Sequence, residues 1–307
     1  MSADVTEVFE EHRTVLEGVA YRMLGRVHDA EDVVQEAWLR WSAADREAVR
    51  EPRAYLVRIT TRLAIDKLRQ LRSRNEAYVG PWLPEPLVTD LRPGGPREEE
   101  GGEERAVLAE SVSLAVLVVL ESLSPLERAV FVLREAFGFP YAEIAEALER
   151  GEPAVRQLGA RARRHVDERK PRFEVDPQLQ RSLTERFLKA SVEGDLEGLM
   201  AVLAPEVRLV SDSAGKAKAP RQVIAGADKV GRFLAAVGPE GADGAYGFSF
   251  LEINGGQALL ATVEGRPDAV FLADVADGLI QSVYLIRNPD KVAHLGVHVP
   301  EAGGEHP

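Results

Sequence analysis

Cysteine is absent from all 307 residues, which excludes disulfide frameworks, thiolate metal sites and cysteine nucleophiles together. Long apolar runs are missing as well. The longest, around Leu114 to Leu120, is far shorter than the roughly 20 residues a membrane helix needs. The amino terminus, MSADVTEVFEEHR, is charged from the start and has no apolar signal-peptide core. A cytoplasmic protein without membrane association is therefore expected. No His, Asp or Glu set with metal-ligand spacing and no nucleophile-base pair stands out, so neither a metal nor a cofactor is expected. Positive charge is also in deficit, with 38 Lys and Arg against 50 Asp and Glu, a net charge of −12. That total speaks against a nucleic-acid binder.

The distribution of charge reverses this reading. Residues 53–74 hold seven Lys or Arg against one Asp, and residues 150–172 hold eight against three acids. Two basic segments in an otherwise acidic chain confine a polyanion to those segments and discourage non-specific binding elsewhere. With 45% hydrophobic and 29% charged residues the composition is globular, and the length suits two or three modules.

From Val5 to about Asn75 apolar residues recur at helical spacing. Val8, Val15, Val19 and Met23 share a face of a first helix, and Val33, Val34, Ala37, Trp38 and Trp41 a face of a second. Tyr55, Leu56, Ile59, Leu63 and Leu68 line a third, opened by Pro52. Residues 80–104 contain five prolines, five glycines and an acidic run, which deny them a helix or a sheet ladder and mark a linker. Trp82 and Leu83 are too apolar for a free tether, so its first part is expected to dock. Helical periodicity resumes from Arg105 to about Arg169, with Ser124 as N-cap before Pro125. Two further helical stretches, 178–192 and 195–203, precede alternating runs at Val207–Val210, Tyr246–Ile253, Ala258–Val263, Ala269–Val275 and Leu279–Ile286. These predict a curved antiparallel sheet with helices on one side, an α+β cone. The expected division is a helical bundle over 1–78, a linker over 79–104, a second helical module over 105–172, the α+β domain over 176–298 and a disordered tail over 299–307.

Three stretches carry the functional signal. His28 to Trp38 places acids on the outer face of an amphipathic helix, which taken alone is a solvated surface. Pro52 to Arg74 is basic enough for the electrostatic footprint of DNA binding, with Tyr55 among its arginines and a solvated helix as the bland alternative. Pro140 to Leu148, a short turn, and Pro153 to Val166 read as a helix-turn-helix, with Val155, Leu158 and Ala162 inward. In that geometry Arg156 and Gln157, near the start of the second helix, face base edges, while Arg161, Arg163 and Arg164 face phosphates.

In order, spacing and residue type, residues 5–170 resemble the extracytoplasmic-function (ECF) sigma factors of RNA polymerase. The stretch DAEDVVQEAWLRW is similar to their region 2.2. The resemblance implies that Asp29, Glu31, Asp32, Gln35 and Glu36 meet the clamp helices of the polymerase β′ subunit. RAYLVRITTRLAIDKLRQLRSR is similar to regions 2.3 and 2.4, which implies −10 promoter contacts by Arg58, Arg62, Lys67, Arg69 and Arg72. Leu123 to Val166 is similar to region 4, which implies −35 contacts by Arg156, Gln157, Arg161, Arg163 and Arg164, and a partner in the polymerase β flap.

A narrower resemblance joins the linker and the tail. Trp82-Leu83-Pro84-Glu85-Pro86 matches the WLPEP signature of ECF sigma factors that carry a C-terminal SnoaL-like (NTF2-like) domain, and Asn288-Pro289-Asp290-Lys291 matches their NPDK motif. Asp212 to Lys216 is a version of their DGGGK loop with two glycines replaced. The fold implied is multidomain: an all-α region 2 bundle, an all-α helix-turn-helix region 4 and an NTF2-like α+β cone. The implied regulation is an intramolecular contact between the cone and the sigma core through these three motifs. Two other readings stay open on the residues alone. One is a self-sufficient helix-turn-helix regulator with a ligand-sensing cone. The other is a SnoaL-like enzyme fused to a DNA-binding module, for which Asp212, Asp274 and His294 are the candidate groups; Asp212 reads as a turn residue.

Overall fold

The structure, a computed structural model, describes residues 5–45, 49–75, 78–89, 113–168, 177–238 and 246–298. The chain divides into two compact units, Met1–Ala77 with Glu103–Lys170, and Tyr78–Gly102 with Pro171–Pro307. The expected helix over residues 105–112, the linker beyond residue 89 and the tail 299–307 lie outside the described residues. No described helix is long and apolar enough to cross a membrane.

The first unit opens with α1 (Val5–Leu24), α2 (Val27–Ser42) and α3 (Pro52–Asn75). In α1 the buried stripe runs through Phe9, Leu16, Val19 and Met23, and Val8 and Val15 flank it half-buried. Trp41 of α2 is buried, and its indole N–H donates to the Val5 carbonyl at 3.0 Å, which ties the start of α1 to the end of α2. Five further elements follow: α4 (Leu114–Leu120), α5 (Pro125–Phe131), a π-helical turn (Val132–Ala136), α6 (Tyr141–Leu148) and α7 (Glu152–Asp167). A capping box starts α5, with Ser124 accepting from the Glu127 amide and Glu127 accepting from the Ser124 amide; such a cap stabilises by about 1 kcal/mol. Glu149 turns the chain between α6 and α7 in the left-handed conformation, φ 52°. Gly159 lets α7 approach closely, since a Cβ there would stand 2.9 Å from the Tyr141 hydroxyl.

The second unit contains α8 (Pro177–Glu193), α9 (Leu196–Val202), α10 (Ala227–Val237), α11 (Pro289–Val292) and a six-stranded sheet. The strands are β1 (Leu203–Asp212), β2 (Ile224–Ala225), β3 (Tyr246–Ile253), β4 (Gly256–Val263), β5 (Arg266–Ala276) and β6 (Leu279–Ile286), in the order β2-β1-β6-β5-β4-β3. Phe187, Leu199, Leu209, Val230, Leu234 and Val283 form the core between helices and sheet. This is the NTF2-like cone.

Two expectations need correction. The sheet is mixed rather than antiparallel, because β6 returns beside β1 in the same direction, pairing Leu209 with Val283 and Asp212 with Ile286. Alternation identifies strands but carries no information about which neighbour a returning strand finds. Helix α10 and the two-residue β2 were not anticipated. Gly231 weakens helical propensity in α10, yet it allows close packing there, with a Cβ at that position standing only 3.0 Å from Leu196.

Candidate nucleic-acid interface

The recognition helix α7 buries Val155, Ala162 and Val166 and turns its arginines outward. Arg156 lies 2.9 Å from Glu152 and stacks over the Tyr141 ring at 4.9 Å. Arg161 pairs with Glu127 at 3.0 Å and Arg163 with Glu135 at 2.7 Å. Gln157 and Arg164 are exposed. Exposed ion pairs of this kind are worth at most about 1 kcal/mol, so each arginine can exchange its carboxylate for a phosphate or base edge at little cost.

The five basic residues singled out on α3 do not form one open surface. Arg62 donates to the Ala147 carbonyl at 2.9 Å and pairs with Glu149 at 2.8 Å. Arg58 approaches Glu146 at 3.9 Å, and Arg72 donates to the Leu123 carbonyl, with burial lowering its pKa. All four partners belong to the helix-turn-helix module. Lys67 joins Asp29 at 2.9 Å and Asp32 at 3.3 Å, and its hydrogen bond to Asp29 raises its pKa. Arg69 stays exposed beside Asp66. The outer face of α2 therefore presents Glu31, Asp32, Gln35 and Glu36, ending at Leu39, which is 55% exposed. Sequence reasoning missed Glu146 and Glu149 as partners of α3, and no sequence feature marks them.

The contact between these two helical modules also buries two guanidinium groups. Arg128 is fully buried, donates to the Arg22 carbonyl at 3.0 Å and pairs with Glu121. Arg22 lies over the Phe137 ring at 4.9 Å, and desolvation lowers its pKa to about 10. A contact that desolvates charge to this extent is one that opens more readily than an apolar core.

The linker motif is built into the second unit. Asp212 is not a turn residue: it ends β1, is fully buried, and accepts from the Lys291 ammonium at 2.7 Å, the Leu83 amide at 2.9 Å and the Tyr78 hydroxyl at 2.5 Å. Lys291 also donates to the Leu83 carbonyl and lies 4.1 Å from the Trp82 ring centroid. Asn288 caps α11 and donates to Tyr78 at 3.1 Å, with Pro289 as its first helical residue. Lys216 pairs with Asp290 on the exposed side. His294 approaches the Pro86 carbonyl at 3.1 Å and Glu85 at 3.8 Å. Pro84 follows Leu83 in this run, and beyond Pro86 the linker adds to the sheet edge. Asn254 and Leu87 exchange hydrogen bonds, and the Thr89 amide donates to Glu252 at 2.8 Å. Tyr78, Glu252 and Asn254 were not foreseen; an Asn in an Asn-Gly-Gly stretch reads as an ordinary turn.

Asp212, Asp274 and His294 do not converge. Asp212 and His294 hold the linker, while Asp274 sits on β5 opposite Ser282. Desolvation raises the Asp274 pKa to about 6, and the Tyr284 hydroxyl nearby is pushed up to about 12, first by burial and then by the Asp274 charge, with Arg208 opposing. Between about pH 4 and 6 the folded state holds a proton that the unfolded chain has lost, so this group's contribution to stability falls as pH rises through that window. Asp274→Asn is expected to stabilise the domain by about 3 kcal/mol above pH 7 and by almost nothing near pH 4, as measured by urea unfolding across pH.

Comparison with known proteins agrees with this architecture. Sigma-70 region 2 matches residues 8–74, and sigma-70 region 4 matches residues 113–166. The chain is 39% identical to the ECF RNA polymerase sigma factor SigJ of Mycobacterium tuberculosis over 293 residues, covering 92% of this chain and 91% of that one. It is 36% identical to the probable ECF RNA polymerase sigma factor SigI of the same species, over 74% of each. The crystal structure of the M. tuberculosis SigJ superposes with a TM-score of 0.72 at 37% identity, covering 94% of this chain and 98% of that one. A two-module DNA-binding protein with a fused cone is thus the class that fold and surface define. The chain belongs to the ECF RNA polymerase sigma factors.

Proposed function

We propose that this sigma factor directs core RNA polymerase to promoters through α3 and α7, while its C-terminal domain limits in cis how far those two helices can part. The arginine-rich helix-turn-helix that follows a basic region 2 helix carries the reading. The outer face of α2 docks the β′ clamp helices, and the helix-turn-helix module meets the β flap. The −10 element is contacted by Arg58, Arg62, Lys67, Arg69 and Arg72, and the −35 element by the outward residues of α7. No covalent chemistry is involved, and the protein acts in the cytoplasm with the polymerase.

Two observations support control in cis. Arg58, Arg62 and Arg72 are engaged by the helix-turn-helix module, so promoter binding has to separate the two modules. The spacer between those modules is fastened at residues 78–89 to the cone. Fastening 12 residues removes about 40 Å of reach from the tether, and a tethered clamp acts at high effective concentration. Run-off transcription with core polymerase, comparing the full chain with one ending at residue 175, tests the proposal. Several-fold altered initiation is expected at matched polymerase binding. Equal initiation by the two chains would refute control in cis, and failure of both to bind core polymerase would refute the initiation role.

A further inference from the structure

One aromatic ring stands among three guanidinium groups on the helix-turn-helix. Tyr141, half-buried at the start of α6, has its ring centroid 4.9 Å from the Arg156 guanidinium and 5.0 Å from that of Arg134. Its hydroxyl accepts from Arg163 at 3.4 Å. Arg134 is itself fixed, since it donates to the Phe139 carbonyl at 3.1 Å. The ring is therefore in contact with the π-helical turn through Arg134 and with α7 through Arg156 and Arg163.

The sequence of α7 is shaped to receive that ring. Arg156, Gly159 and Arg163 fall at i, i+3 and i+7, on one face of the helix. Gly159 leaves the space between the two arginines open, because a Cβ there would stand 2.9 Å from the Tyr141 hydroxyl and 3.1 Å from the ring carbon Cε1. The ring contact differs in kind from the ion pair that Arg156 makes with Glu152 at 2.9 Å. A carboxylate occupies N–H groups that a base edge needs, and has to be released. A ring attracts the cation through its quadrupole and leaves those donors available. The contact to Tyr141 can thus persist while Arg156 meets a base, and a guanidinium held beforehand loses less freedom on binding.

We propose that Tyr141 is a positioning residue for promoter reading. It sets the base preference at one −35 position by fixing Arg156, and reads no base itself. The proposal rests on the −35 role of α7 given above and adds to it a residue outside the recognition helix. Its effect is on selectivity. Without the ring, Arg156 still reaches the groove but in several orientations, so the correct base loses part of its advantage over the others. The size of that loss is the cost of immobilising one long side chain, roughly 3- to 10-fold in discrimination.

The test is run-off transcription by the holoenzyme with the full chain, on a panel of single-base −35 promoters, with thermal unfolding of each variant. Tyr141→Leu is expected to reduce discrimination at the position read by Arg156 by roughly 3- to 10-fold, and to leave the rest of the −35 profile unchanged. Tyr141→Phe, which keeps the ring, should stay within about twofold of the parent. With Arg156→Ala in place, Tyr141→Leu should have no further effect on the base profile, a result that general loss of structure would not give. Gly159→Ala, which puts a methyl where the hydroxyl end of the ring lies, should act like Tyr141→Leu and serves in its place if that variant fails to unfold cooperatively. An unchanged profile in a folded Tyr141→Leu chain overturns the proposal. So does an equal loss in Tyr141→Phe, which would make the hydroxyl the active group, or an equal loss with Arg156 already removed. A parent holoenzyme with no −35 base dependence refutes the −35 reading of α7 itself, and the proposal with it.

Discussion

Replacing Asp212 with alanine is expected to destabilise the C-terminal unit by about 3–5 kcal/mol, the cost of leaving a buried partner charge uncompensated. Lys291 loses the carboxylate it pairs with, and the Leu83 carbonyl and the Trp82 and Tyr78 rings that it also meets do not neutralise an ammonium. The Leu83 amide and the Tyr78 hydroxyl lose their acceptor in the same step. Asp212→Asn should cost less, because the amide oxygen still accepts from Leu83. The double variant Asp212→Ala, Lys291→Met should recover part of the loss, since removing both charges also removes the penalty for burying either. Chemical denaturation measures these costs. Hydrogen exchange across residues 78–89 reports release of the linker, which should accompany the loss. A cost below about 1 kcal/mol with unchanged protection of Leu83 and Leu87 would show that the linker is held by its apolar contacts alone.

That cluster also shows how much the sequence discloses and where it stops. The helices of the first unit were legible because their apolar spacing is long and regular, and the helix-turn-helix because a short turn separates an apolar helix from an arginine-rich one. Strands β3 and β6 were readable from alternation to the residue. The linker motif was visible as an apolar patch in a segment unable to form regular structure, but its fastening was not. Asp212 lies 79 residues from Lys291 and 129 from Leu83, and a carboxylate followed by Ser-Ala-Gly has the local signature of a turn. Burial of that carboxylate is a tertiary property, set by β6 arriving parallel to β1 and placing α11 over the strand end. The engagement of Arg58 and Arg62 by α6 was invisible for a similar reason. A basic helix shows the same pattern whether it faces a polyanion or the acidic residues and carbonyls of a neighbouring helix.

Arg156→Ala and Arg164→Ala should both reduce initiation by the polymerase holoenzyme, but in different ways. Arg156 stands one turn into α7, on the end of a recognition helix that reaches base edges, and Tyr141 and Glu152 hold its guanidinium in place. Losing a positioned contact of that kind costs about 1–3 kcal/mol, which lowers initiation roughly 10- to 100-fold and flattens the response to base changes at one −35 position. Arg164 lies two turns further along and is exposed, where a contact to the DNA backbone rather than to base edges is proposed. Its loss should weaken every promoter alike and reduce the salt slope of log K by about 1. Run-off transcription on a panel of single-base −35 variants, repeated at several salt concentrations, separates the two outcomes. If Arg156→Ala left the base profile unchanged and altered only the salt slope, α7 would contact backbone along its whole length, and base selection would have to lie elsewhere in the chain.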